Sequence, residues 1–86
     1  MKLRVKEVAR NKGIDLQTLS KKLGITYQAL NARIIGNPSL KVLQEIADAL
    51  DCPVFELLPP GNHYQHYYDE KGNYNGILKK TSYNIV

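Results

Sequence analysis

A chain of 86 residues allows one small domain with a modest core. Its formal net charge of +4, split as +3 over residues 1–58 and +1 over the remainder, suits a polyanionic partner but is common among ordinary soluble domains. Apolar runs of only a few residues exclude a membrane span, the start Met1-Lys2-Leu3-Arg4-Val5-Lys6-Glu7 lacks an apolar signal core, and the lone Cys52 excludes an internal disulfide, so a cytoplasmic setting is expected.

The first expected helix carries Leu3, Val5, Val8 and Ala9 as its buried stripe and ends near Gly13, with Lys2, Arg4, Lys6, Arg10 and Lys12 outside, mainly as solvent-facing charge and in part as contacts to phosphate. Asp15 is placed to cap a second helix through Leu23, and Ile14 and Leu19 can close over that end as a hydrophobic staple. Gly24 stops it, because glycine enters the left-handed conformation without a Cβ penalty. The device repeats at once, with Thr26 as the next cap and Ile25 and Leu30 as the next staple. Two helices joined through Gly24-Ile25-Thr26 have no room for a long loop, which is the pattern of a helix-turn-helix.

On the second helix of that unit, Leu30 and Ile34 share the inward face, while Tyr27, Gln28, Asn31, Ala32 and Ile35 lie on the flank or outside. Gln and Asn amides pair bidentately with adenine in the major groove, and apolar carbons meet the thymine methyl. Tyr27, Gln28, Asn31 and Ala32 are therefore the expected base contacts. Such a face also occurs on plain solvated helices; its place directly after a helix-turn-helix joint favours nucleic acid. In the following loop, Gly36 permits close backbone approach, and Asn37, Lys41 and the free N–H groups at the next helix start can meet a phosphate. Thr26 and Ser39, at two helix starts, complete the phosphate set read from the residues themselves.

Ser39, behind Pro38, caps a fourth helix with Leu40, Leu43, Ile46, Ala47 and Leu50 at helical spacing, and Pro53 suits the first turn of a short fifth helix from Pro53 to Leu58. The expected core is Leu3, Val8, Leu19, Leu23, Ile25, Leu30, Ile34, Leu43, Ile46, Leu50 and Phe55. Cys52, among Leu50, Val54 and Leu57, reads as a small buried thiol.

Residues 3–58 resemble the Cro/phage-repressor-like helix-turn-helix regulators, often called the XRE family. The likeness is carried by Leu16-Gln17-Thr18-Leu19-Ser20-Lys21-Lys22-Leu23-Gly24-Ile25-Thr26-Tyr27-Gln28-Ala29-Leu30 and by Asn37 through Leu50. It implies a mainly α, five-helix lambda-repressor-like DNA-binding domain, double-stranded DNA as partner, and Gln17 as a backbone clamp. Ser20 stands where the family usually has a small Ala, a mild departure. Tyr27 replaces the common Gln or Arg, which leaves two uses open, contact with a thymine methyl or a hydrogen bond to phosphate.

Beyond Leu58 the composition changes: Pro59-Pro60-Gly61-Asn62 is a linker, and five of the six tyrosines follow it. His63 to Tyr68 and Tyr74 to Lys79 read as two strands around a turn in which Gly72 supplies a positive φ. The chain thus divides into a DNA-binding domain (1–58), a linker (59–62), a β-hairpin extension (63–80) and a tail (81–86). A two-stranded hairpin is marginal alone, so it needs its own helices, a second copy of the chain, or both. His63 and His66, three apart in a strand, point to opposite faces, so neither a metal nor a cofactor is expected. No nucleophile with a base and no paired carboxylates suggest an enzyme. The leading expectation is a dimeric repressor on an inverted repeat, with the hairpin in self-association; the alternative is an antitoxin-type DNA-binding protein whose extension neutralises a protein partner.

Overall fold

Three helices begin on side chains that the sequence marks as caps. Asp15 Oδ1 accepts from the Thr18 N–H at 2.7 Å, Thr26 Oγ1 from Ala29 N–H at 3.1 Å, and Ser39 Oγ from Val42 N–H at 3.2 Å. Each such cap is worth about 1 kcal/mol. The computed structural model, which describes residues 2–80, has α1 (Val5–Asn11), α2 (Leu16–Leu23), α3 (Tyr27–Ile35) and α4 (Leu40–Leu50). A 3-10 turn (Val54–Leu57) and an antiparallel hairpin of β1 (Tyr64–Tyr68) and β2 (Tyr74–Lys79) follow. The tail 81–86 lies outside the described residues. Gly24 ends α2 at φ 70°, so the chain reverses within three residues and α3 starts on Thr26.

One apolar core joins the helices. Val5, Val8 and Ala9 of α1, Leu19 of α2, Leu30 and Ile34 of α3, and Leu43, Ile46, Ala47 and Leu50 of α4 are buried, with Leu57 fully enclosed among them. Leu3, Leu23 and Ile25, expected inside, are half-buried and pack against this cluster.

The fifth helix does not form; there are four α-helices among the described residues, and the segment after Pro53 is a single 3-10 turn. Pro53 carries the cap position and Pro59 cannot continue a helix, so the segment is too short for i to i−4 bonding. It uses i to i−3 bonds instead, Glu56 N–H to Pro53 O at 3.1 Å and Leu58 N–H to Phe55 O at 3.2 Å. At three residues per turn, Val54 and Leu57 share the inward side. Phe55 therefore turns outward and is 47% exposed, which corrects its assignment to the core.

The hairpin docks on this turn. Tyr74 lies with its ring centroid 6.0 Å from Phe55 and 5.3 Å from Tyr68. The His66 Nε2–H donates to the Leu58 carbonyl at 2.6 Å, and Nδ1 pairs with the Tyr74 hydroxyl at 2.7 Å. Both ring nitrogens are thus used within the protein. Gly72 adopts φ 86° in the connecting turn, where Asp69 Oδ1 accepts the N–H groups of Lys71 and Asn73, each at 2.8 Å. Those bonds, the Asn73 N–H above all, hold the Asp69 carboxyl below the ordinary aspartate range. Register shifts by one residue between Tyr67, opposite Gly76, and Tyr68, opposite Tyr74, so Asn75 is the extra residue of a β-bulge.

Candidate nucleic-acid interface

With about 100° of rotation per residue, Leu30 and Ile34 fix which side of α3 faces the core, and Ala32, Gln28 and Ile35 fall on the far side. Gln28 and Ala32 are exposed, Ile35 is 79% exposed, and Tyr27 is 37% exposed. Asn31, nearer to the buried stripe, is half-buried. Of the four expected base-contact residues, Gln28 and Ala32 thus lie at the crest of the outward arc, whereas Asn31 and Tyr27 lie at its edge beside the buried stripe. Ile35 extends that arc by an apolar surface.

The expected phosphate residues fall at two helix starts. At α4, Gly36 and Asn37 line a recess of about 270 Å³ together with Ala32, Arg33 and Pro38. A Cβ on Gly36 would lie 3.1 Å from the Ala32 carbonyl, so the close approach there is to α3 itself. Ser39 uses its hydroxyl oxygen and its carbonyl for the Val42 and Leu43 N–H groups, and among the described residues the Leu40 and Lys41 N–H groups have no protein acceptor. Lys41 is exposed beside them. At α2, Gln17 is exposed in the first turn, next to the capping Asp15, whose carboxyl the Thr18 N–H holds below the usual range. That fixed negative charge opposes a phosphate at the α2 start, whereas the α4 start carries none. Thr26 is exposed with its oxygen committed to the Ala29 N–H.

Not all of the basic residues of α1 and its ends are free. The Arg4 guanidinium donates to the Glu56 carbonyl at 2.7 Å, to Glu7 Oε2 at 3.1 Å and to the Tyr68 hydroxyl at 3.3 Å, and Lys12 Nζ donates to the Asp51 carbonyl at 3.3 Å. Both belong to the set expected as solvent-facing charge or phosphate contacts. Lys2, Lys6 and Arg10 remain exposed and share a shallow surface with Ile34 and Ile35 at the end of α3. Arg33, half-buried in the α3–α4 recess, is the cation that sequence reading passed over. Its place one residue after Ala32 and three before Gly36 was the available signal.

Cys52 is half-buried rather than enclosed, and burial, with Glu56 nearby, pushes its thiol up to about 11. It is a poor nucleophile in that state.

A family model described as helix-turn-helix matches residues 5–57, which is α1 through the 3-10 turn. The chain belongs to the Cro/repressor-like helix-turn-helix family. This helix-turn-helix protein is accordingly a DNA-binding regulator, of a regulatory family that is not typically enzymatic. No curated protein and no solved structure matches the chain. The matched segment stops before the hairpin, so the family accounts for the helical body alone. Among the described residues no helix is long and apolar enough to cross a membrane.

Proposed function

We propose that this helix-turn-helix protein is a sequence-specific transcriptional repressor that binds an inverted repeat as a dimer, with α3 in the major groove. The observation that carries the reading is the exposed arc of Gln28, Ala32 and Ile35 directly opposite the buried Leu30 and Ile34. Gln28 and Asn31 read adenine edges, Ala32 and Ile35 meet thymine methyls, and Tyr27 borders them. The α4 start, with Asn37, Ser39, Lys41 and the α3–α4 recess, grips phosphate more strongly than Gln17 and Thr26 do, because Asp15 stands at the α2 start. The hairpin supplies self-association through its exposed Tyr64 and Leu78 and its open β1 edge.

Selection from a random duplex pool at two salt concentrations tests the reading. Gln28→Ala should relax preference at one base pair by about 1–3 kcal/mol and leave the salt slope alone. Lys41→Ala should weaken all sequences alike and lower that slope by about 1. A Gln28→Ala protein that selects an unchanged motif would remove direct readout by α3.

A further inference from the structure

Glu56 is 4% exposed, the most buried charged side chain among the described residues. Its carboxylate accepts one hydrogen bond, from the Tyr68 hydroxyl to Oε2 at 2.7 Å, and among the described residues no Lys, Arg or His nitrogen lies within 4 Å of it. Arg4 comes close, but its three hydrogen bonds go to the Glu56 carbonyl, to Glu7 and to the Tyr68 hydroxyl rather than to the Glu56 carboxylate. An ionised carboxylate offers about four acceptor positions, and a buried one with a single donor and no directly bonded cation is costly. Glu56 Oε1 is thus left open.

That open oxygen belongs to a residue lining a cleft of about 200 Å³ between α1, the 3-10 turn and the hairpin turn. Tyr68 and Tyr74 form an aromatic wall, with ring centroids 5.3 Å apart and planes at 58°. Asp51, Lys12 and Asn73 stand around the same cleft, whose lining carries two carboxylates against one ammonium, and the Arg4 guanidinium that reaches the Tyr68 hydroxyl from outside the lining is itself paired with Glu7. The Lys12 ammonium is directed to the Asp51 carbonyl rather than to a carboxylate. A buried acceptor, adjacent aromatic faces and net negative charge together select a compact group rich in N–H donors.

We propose that this cleft binds a small organic cation, an alkylammonium or guanidinium compound, whose N–H groups donate to Glu56 while its charge rests against the Tyr68 and Tyr74 rings. Bound there, the ligand bridges the helical body and the hairpin turn. The site is separate from α3 and does not depend on the DNA-binding reading.

Titration of the full chain, labelled with nitrogen-15, with n-butylammonium and methylguanidinium chlorides at constant ionic strength tests it, with n-butanol as the neutral control. Saturable shifts of the Asp51, Asn73 and Tyr74 amides are expected with both cations and not with butanol. Glu56→Gln should weaken cation binding about tenfold, the size of one charge-assisted hydrogen bond. Lys12→Met, a change at an exposed side chain, should tighten it by removing a competing charge. Non-saturable shifts, an equal response to butanol, or undiminished affinity in a folded Glu56→Gln protein overturns the proposal. Should Glu56→Gln fail to fold, Lys12→Met decides, and unchanged or weaker binding there overturns it.

Discussion

At the residue scale, function rests on what a few backbone positions permit. Gly24 sits at φ 70° with nothing within 4 Å of the place a Cβ would take, so only its backbone conformation opposes a side chain. Gly24→Ala should therefore cost about 1–2 kcal/mol through left-handed strain alone, measured by chemical denaturation. A cost near zero would mean that the turn between α2 and α3 relaxes, and then α3 would not be held at a fixed angle. The caps were legible because Asp15, Thr26 and Ser39 each combine a short polar side chain with an apolar periodic run after it. The anchoring of Arg4 and Lys12 was not, because, apart from the nearby Arg4–Glu7 pair, it runs through the remote main-chain carbonyls of Glu56 and Asp51 and the distant Tyr68 hydroxyl.

Between elements, periodicity fixed most of the core but failed where the period changed. Leu43, Ile46 and Leu50 recur as an α-helix demands, and they are buried. Across Val54–Leu57 the spacing is three rather than 3.6, so Leu57 replaces Phe55 inside, and four residues are too few for a period to reveal itself. Leu57→Ala should accordingly cost about 2–5 kcal/mol as a core truncation. Phe55→Ala should cost only about 0.5–1.5 kcal/mol, the scale of its aromatic contact with Tyr74. Urea midpoints in the reverse order would restore the helical assignment. The docking of the hairpin shows the same limit: the strands and the turn glycine could be read locally, whereas Tyr68 on Glu56 and His66 on Leu58 join segments whose packing no local pattern encodes.

For the whole molecule, acid and association are the two informative perturbations. The carboxyls of Asp15, Asp69 and Glu7 are held below their ordinary values, by the Thr18 N–H, the Asn73 N–H and the Arg4 guanidinium respectively. Groups with folded values below their unfolded ones contribute stability that is present above the unfolded pKa and lost as pH falls through the folded one. The melting temperature should thus fall below about pH 4, and Asp15→Asn with Asp69→Asn, which keeps acceptors at both positions, should flatten that acid limb. Association tests the hairpin. The Lys80 N–H bonds to the His63 carbonyl and the Asp69 N–H to the Asn73 carbonyl, so by antiparallel alternation the amides of Tyr64, His66 and Tyr68 face away from β2. An open edge of this kind recruits another strand, and Asn75 in the bulge makes the β2 edge the poorer template. A second copy joined there would present two α3 helices to half-sites about one helical turn, or a multiple of it, apart. Truncation after Leu58 should therefore convert a sedimenting dimer to a monomer and weaken binding to the full inverted repeat, with half-site binding and helical circular dichroism retained. Leu78→Lys, at a side chain already 52% exposed, should shift the same equilibrium without unfolding the chain. If both proteins sediment as the intact chain does, the extension serves a different partner, and co-purification of a protein that requires residues 59–80 becomes the deciding measurement.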